Sequence, residues 1–274
     1  MKMYMRFKDG KKKALTLSYD DGVVQDIRLI GILNQYGLKA TFNIGTGRYE
    51  AEDTIREKYY GKMKRSEATE LYIGSGHEVA VHAYNHPYLE QLKQQEILTE
   101  IWEDRKDIEK TYGTIVRGMA YPYGTYSEAV KEVLKICGIV YARTTHSTHK
   151  FGIPEDWLEL HPTCHHKDAK LMELCDRFLN NSDKVPQLFY LWGHSYEFDD
   201  RDNWNVMEEF GQKMGGREDI WYATNIEIYD YVKAYEQLIV SADRSRIYNP
   251  TATDIWVYDN KETFCIRSGE TVTR

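Results

Sequence analysis

The chain reads as α/β, with about seven strand–helix units in one large domain, and three observations predict this. Short apolar runs alternate with amphipathic stretches of ten or more residues, the pattern of βα units and a mostly parallel sheet. Glycines stop several helices and lead directly into the next strand. About seven such units in roughly 240 residues suit a barrel better than an open sheet. At 274 residues with 42% hydrophobic content, the chain can bury a substantial core.

The run 13–19 reads as a buried strand that delivers Asp20-Asp21-Gly22 to its tip. A helix follows over 23–36, with Val23, Ile27, Ile30 and Leu33 on one face; Gly37 stops it before a strand over 38–44. Gly74-Ser75-Gly76 is a second such stop, before the strand ending Val79-Ala80-Val81. A helix spans 91–112 and a strand 116–120. Val130, Val133, Leu134 and Cys137 recur at i, i+3, i+4 and i+7, and Gly138 separates that helix from a strand over 139–142. Helices over 169–179, 204–214 and 226–238, with strands over 188–192 and 220–223, complete the body. Residues 241–254 are rich in Ser, Asn, Pro and Thr, and 255–258 and 263–266 flank Asp259-Asn260-Lys261 as a β-hairpin. The division expected is therefore a barrel over 1–240 and a small C-terminal β appendage over 241–274 packed on it.

A net charge of −7 argues against nucleic acid or an anionic membrane as partner. The longest apolar run is too short for a membrane-spanning helix. The first ten residues carry positive charge without the apolar core of a signal peptide, so the chain as given reads as cytoplasmic. Cys137, Cys164, Cys175 and Cys265 form no close pair and read as reduced thiols.

Adjacent side chains on an extended backbone diverge, so one of Asp20 and Asp21 can hold a metal while the other moves a proton. His82 follows a strand, and His86 precedes Pro87, which biases it away from helix. One aspartate and two histidines hold a divalent metal while leaving positions open. All three lie at the same end of the parallel strands, where barrel active sites form. Each motif alone is ordinary: Asp-Asp-Gly is a common turn, and an HxxxH spacing also suits a surface helix or a hydrogen-bonded loop. Tyr121-Pro122-Tyr123-Gly124 is a turn that can aim a backbone N–H at an oxyanion. The strand over 188–192 ends in Gly193-His194. His146, His149, His161, His165 and His166 read as a polar loop over the barrel mouth rather than a second metal site. The run 195–200, with Trp204, reads as substrate rim.

Ser18-Tyr19-Asp20-Asp21-Gly22, His82-x-x-x-His86, Tyr121-Pro122-Tyr123-Gly124 and Trp192-Gly193-His194 occur in an order and spacing that resembles the polysaccharide deacetylase (NodB-homology) family, carbohydrate esterase family 4-like, over about residues 13–235. The resemblance implies a distorted (β/α) barrel and a metal-dependent hydrolase that removes acetyl groups from N-acetylated, or O-acetylated, sugars or cleaves a related non-peptide C–N bond. It implies Asp20 as general base, His194 as general acid and the Tyr123 N–H at the oxyanion. It also implies Asp21, His82 and His86 as ligands of a divalent metal, zinc foremost, with cobalt, manganese, nickel or iron as alternatives. Many relatives place an arginine where this chain has Ala120; Arg143, at the active-site end of its strand, is the replacement, and Arg117 lies nearer a strand's start. Asp156-Trp157 faintly echoes the segment that orients the acidic histidine, with Glu197 and Asp199 as rivals. A catalytically silent carbohydrate-binding protein is the alternative reading. A two-histidine, one-carboxylate iron oxygenase is a third.

Overall fold

The computed structural model describes residues 3–55 and 61–274; Met1 and Lys2, the start of the N-terminal stretch read above, lie outside these. In chain order the elements are β1 (Tyr4–Arg6), β2 (Lys13–Asp20), α1 (Asp26–Gln35), β3 (Ala40–Ile44), α2 (Arg65–Tyr72), β4 (Glu78–Val81) and α3 (Gln94–Tyr112). Then come β5 (Gly118–Ala120), α4 (Glu128–Ile136), β6 (Tyr141–Arg143), β7 (Cys164–His165), α5 (Leu171–Leu179), β8 (Gln187–Gly193), α6 (Tyr196–Asp200) and α7 (Asn205–Met214). The chain closes with β9 (Ile220–Tyr222), α8 (Asn225–Glu236), β10 (Ile239–Val240), β11 (Arg246–Tyr248), β12 (Ile255–Asp259), β13 (Glu262–Ile266) and β14 (Thr271–Thr273).

The main sheet is parallel in the order β6-β5-β4-β3-β2-β8-β7, with β9 beside the first residues of β2. Its edges approach each other, because Leu160 bridges Arg143 at the end of β6 and the same segment continues into β7 beside β8. The result is a distorted (β/α) barrel. Strand β2 pairs with β3, β8 and β9 and is buried along its whole length. Alternation along the strand sorts its side chains. Leu15, Leu17 and Tyr19 join the outer core with Leu29, Leu33 and Phe210 of the helices. Thr16, Ser18 and Asp20 face inward, where Thr16 bonds Asn225 and Ser18 bonds Asn43. The polar interior is therefore written into every second residue of β2.

Gly37 and Gly138 follow α1 and α4 with φ of +66° and +68°, the left-handed stops that sequence indicated. The long third helix begins later than expected, because Leu89–Gln91 forms a separate 3-10 turn. The hairpin β12–β13 forms as expected, and β1 from the opposite end of the chain pairs antiparallel with β12 to complete a three-stranded sheet. A second small sheet is ordered β10-β11-β14. A second core cluster seats Phe7, Ile255, Val257 and Ile266 against Ala14, Leu188, Tyr190 and the α8 residues Ile228, Tyr231 and Val232. That cluster lies toward the starts of β2 and β8 and leaves their C-terminal ends for chemistry. Among the described residues, no helix is long and apolar enough to cross a membrane. All four cysteines are unpaired thiols.

Candidate active site

Strand register decides which side chains meet at the mouth. Tyr19 pairs with Gly193 across the β2–β8 ladder, so the next residues, Asp20 and His194, emerge side by side. On the other edge Asp20 pairs with Asn43, Asn43 with Ala80 and Ile44 with Val81, which sets His82 one residue above. Ala120 pairs with Arg143. Sequence-distant residues thus converge through parallel pairing alone.

Asp20 is almost fully buried. Its Oδ1 accepts Asn43 Nδ2 at 2.9 Å, and its Oδ2 accepts the Arg143 guanidinium. Arg143 is itself fully buried, and its guanidinium lies 4.2 Å over the Trp192 ring. His194 Nε2 and His82 Nε2 lie 3.8 and 3.9 Å from Asp20 Oδ2. Burial pushes the Asp20 carboxyl up, but the Arg143 guanidinium, ahead of the neighbouring His82 and His194, outweighs it and holds the group below its ordinary range. The carboxylate is therefore ionised and able to accept a proton.

The ligand atoms of Asp21, His82 and His86 lie within 4.8 Å of one another. His82 Nδ1 is 2.8 Å from the Ala120 carbonyl oxygen, which puts the proton on Nδ1 and leaves the Nε2 lone pair for a ligand. Burial holds His86 down to about 4, so its imidazole is neutral, as a metal ligand must be. Burial pushes Asp21 up, but Lys62, ahead of His82 and His194, prevails and keeps it well below the carboxylate range. Two neutral imidazoles and a carboxylate fit a divalent first-row metal. Asp21, Ala83, His86 and Tyr123 all adopt positive φ, at 86°, 60°, 58° and 58°. Non-glycine residues in that region carry strain, and such strain gathers at functional sites.

Tyr123 sits in the turn Pro122–Gly124. The turn's internal bonds are donated by the N–H groups of Gly124 and Thr125 to Tyr121 and Pro122, so neither claims the Tyr123 N–H. The Tyr123 ring stacks on Tyr88, with centroids 3.8 Å apart, and meets the edge of His86.

Asp156 does not join the site. Its Oδ1 caps the Leu158 N–H and its Oδ2 pairs with Lys131 at 2.7 Å, so the expectation that it orients His194 is corrected. Asp199 is likewise engaged, with Gln25 and Trp204. Glu197 is the carboxylate beside His194, with Oε1 3.8 Å from His194 Nδ1. Burial pushes His194 down, yet Glu197 and Asp20 raise it above its ordinary value. Nor do the five histidines form one polar loop. His165 and His166 are buried against Glu197, His149 pairs with Asp168, and His146 meets His161 edge-on.

Sequence reasoning missed four contributors. Asn43 fixes Asp20 Oδ1. Lys62 and Arg48 lie 2.8 and 3.0 Å from Asp21 Oδ1. Asp104 accepts the His82 and Thr46 backbone N–H groups and the Thr46 hydroxyl. Only Asp104 left a signal: it falls in register with Ile97, Ile101 and Ile108 on the buried face of α3, where a charge has no business without a partner.

Residues 7–142 match the family model for polysaccharide deacetylase. Over 129 residues, 47% of this chain, it is 28% identical to chitin deacetylase 1 of Cryptococcus neoformans. Over 147 residues, 53% of this chain, it is 25% identical to the peptidoglycan-N-acetylglucosamine deacetylase PgdA of Listeria monocytogenes. These matches span only 25% and 27% of those relatives' lengths. A solved structure of a candidate polysaccharide deacetylase from Mycobacterium smegmatis shares the fold, with a TM-score of 0.59 at 16% identity over 85% of this chain and 94% of that one. With the motif order, the family match and the barrel in agreement, the chain belongs to the polysaccharide deacetylase (NodB-homology) family.

Proposed function

We propose that this protein is a metal-dependent deacetylase that hydrolyses the acetyl group of an acetylated sugar, an N-acetylated amino sugar first, to give acetate and the amine. One observation carries the reading: an ionised Asp20, fixed by Arg143 and Asn43, stands between the Asp21, His82 and His86 donors and His194. Asp21, His82 and His86 would hold a divalent cation, and the chemistry it would supply there is a bound water of lowered pKa and a polarised acetyl carbonyl. Asp20 takes the proton as the attacking water adds to that carbonyl. The Tyr123 N–H donates to the oxygen as negative charge develops there. His194 gives its proton to the departing nitrogen as the C–N bond breaks. The silent-binder alternative draws on two gaps in the sequence, the missing arginine and the blurred acidic segment; Arg143 beside Asp20 and Glu197 beside His194 weigh against it. An iron oxygenase leaves the buried Asp20 without a role.

The test is acetate release from N- and O-acetylated sugars by zinc-loaded protein, with Asp20→Asn alongside. Loss of a proton-transfer group costs roughly 10²–10⁴ in rate, and the variant should keep its metal. Full turnover by Asp20→Asn sinks the base assignment.

A further inference from the structure

We propose that His165, His166 and Glu197 form a second binding site for a divalent transition-metal cation, separate from the Asp21, His82 and His86 set. Strand β7 ends in His165, His166 follows, and the five-residue helix α6 supplies Glu197. Their ligand atoms lie within 4.8 Å of one another. His165 Nε2 is 3.1 Å and His166 Nε2 3.0 Å from the same oxygen, Glu197 Oε2.

Neither contact has hydrogen-bond geometry. His165 Nε2, both ring nitrogens of His166 and Glu197 Oε2 are all buried without a hydrogen-bond partner. Each such orphan costs roughly 1–3 kcal/mol, and three of them, His165 Nε2, His166 Nε2 and Glu197 Oε2, face one another, while His166 Nδ1 faces Gly193. His166 is 2% exposed, so solvent does not serve it. The backbone holds it in place, its N–H donating to the Trp192 carbonyl at 2.8 Å. Only a residue without a side chain fits beside it, since a Cβ on Gly193 falls 2.1 Å from His166 Nδ1.

The spacing suits a cation. Metal–ligand bonds of about 2.1 Å at right angles separate neighbouring ligand atoms by about 3.0 Å, whereas tetrahedral angles give about 3.4 Å. The observed 3.0 and 3.1 Å match the former. Two imidazoles and one carboxylate leave further positions open, the donor chemistry of first-row divalent metals rather than calcium or magnesium. Coordination through His165 Nε2 places the proton on Nδ1 and gives up the 3.1 Å bond that Nδ1 accepts from Lys167 N–H. Glu197 Oε1 keeps Lys167 at 3.2 Å. His194 separates the two sites, with Nε2 toward Asp20 and Nδ1 toward Glu197.

Metal content decides the matter without any activity measurement. Apoprotein is titrated with Co(II) and with Zn(II), and bound metal is counted by elemental analysis and followed by the Co(II) d–d spectrum. The expected result is two equivalents for the wild type, one for Glu197→Gln and His165→Gln, and one, with a different spectrum, for His82→Ala/His86→Ala. The equivalent retained by Glu197→Gln also reports that this variant is folded. A single wild-type equivalent that survives Glu197→Gln and vanishes in His82→Ala/His86→Ala overturns the proposal, and Glu197 is then only an acceptor for its histidines. A single equivalent with the opposite behaviour upholds it and removes the metal from the proposed deacetylase centre instead.

Discussion

Arg143 at the end of β6 and Asp20 at the end of β2 stand four ladder steps apart, and their side chains join across the barrel mouth. Both are buried, so neither charge is compensated by water. Breaking such a pair from one side leaves an unpaired buried ion, which costs roughly 3–5 kcal/mol. Arg143→Met is therefore expected to destabilise the fold by about that amount in urea unfolding. In an Asp20→Asn background the same change leaves no orphaned charge and costs less. Equal costs in the two backgrounds contradict a direct pairing.

Asp104 acts one layer behind the metal donors. It receives three donors from the segments that carry His82 and Thr46, and burial pushes its carboxyl up to about 7. Asp104→Ala strands the buried Thr46 N–H and leaves the His82 N–H only the Ile44 carbonyl at 3.1 Å, so stability should fall by on the order of 1–3 kcal/mol. His82 then loses one of its anchors, keeping the Ile44 and Ala120 carbonyls, and zinc affinity should drop roughly 10-fold, the lower end for supporting partners of ligands. Calorimetric zinc titration of folded Asp104→Ala checks this; unchanged affinity would show that His82 is placed by β4 alone.

How much of the site sequence could show depends on whether a residue's role is local. Asp20, Asp21, His82 and His86 lie at strand tips, and parallel pairing brings tips together without further information. Arg143 was readable for the same reason. Asp156 was misread because a sequence echo says nothing about competing partners, and Lys131 with the Leu158 N–H claims both its oxygens. Glu197 meets His194 through an i,i+3 relationship, visible only once the chain is known to turn helically at Ser195. Strands of two or three residues such as β7 and β10 are too short to carry periodicity, so the segment closing the barrel and the second small sheet went unseen.

Asp26 offers a pH signature. It is fully buried, and it accepts the Ser195 hydroxyl at 2.5 Å and the Tyr72 hydroxyl at 2.6 Å. Burial raises its carboxyl from the ordinary 3.8 to about 7, against the pull of those bonds. The folded value lies above the unfolded one, so the stability it contributes is full below about 4 and lost as pH rises through 7. Asparagine does not titrate, and both hydroxyls can rotate to suit it. Relative to wild type, Asp26→Asn should therefore gain stability between pH 5 and pH 7, on the order of 1 kcal/mol per pH unit, and level off beyond. Urea unfolding at pH 5, 7 and 8 measures it; a constant difference means Asp26 stays ionised throughout.

Two glycines predict opposite outcomes for one substitution. Gly31 lies on the exposed side of α1 with nothing within 4 Å of a Cβ, so Gly31→Ala should stabilise by up to about 1 kcal/mol through helix propensity. Gly193 pairs with Tyr19 inside the sheet, and a Cβ there meets His166 ring atoms at 2.1 and 2.5 Å. The ring cannot retreat freely, because it stacks on Tyr19 at 5.8 Å on one side and meets Phe198 at 4.1 Å. Overpacking of this kind costs roughly 1–3 kcal/mol, so Gly193→Ala should lower the melting temperature while Gly31→Ala raises it. The displaced imidazole should also show as a shifted His166 resonance by NMR. If Gly193→Ala melts like the wild type with that resonance unmoved, the close seat of His166 beside β8 is wrong.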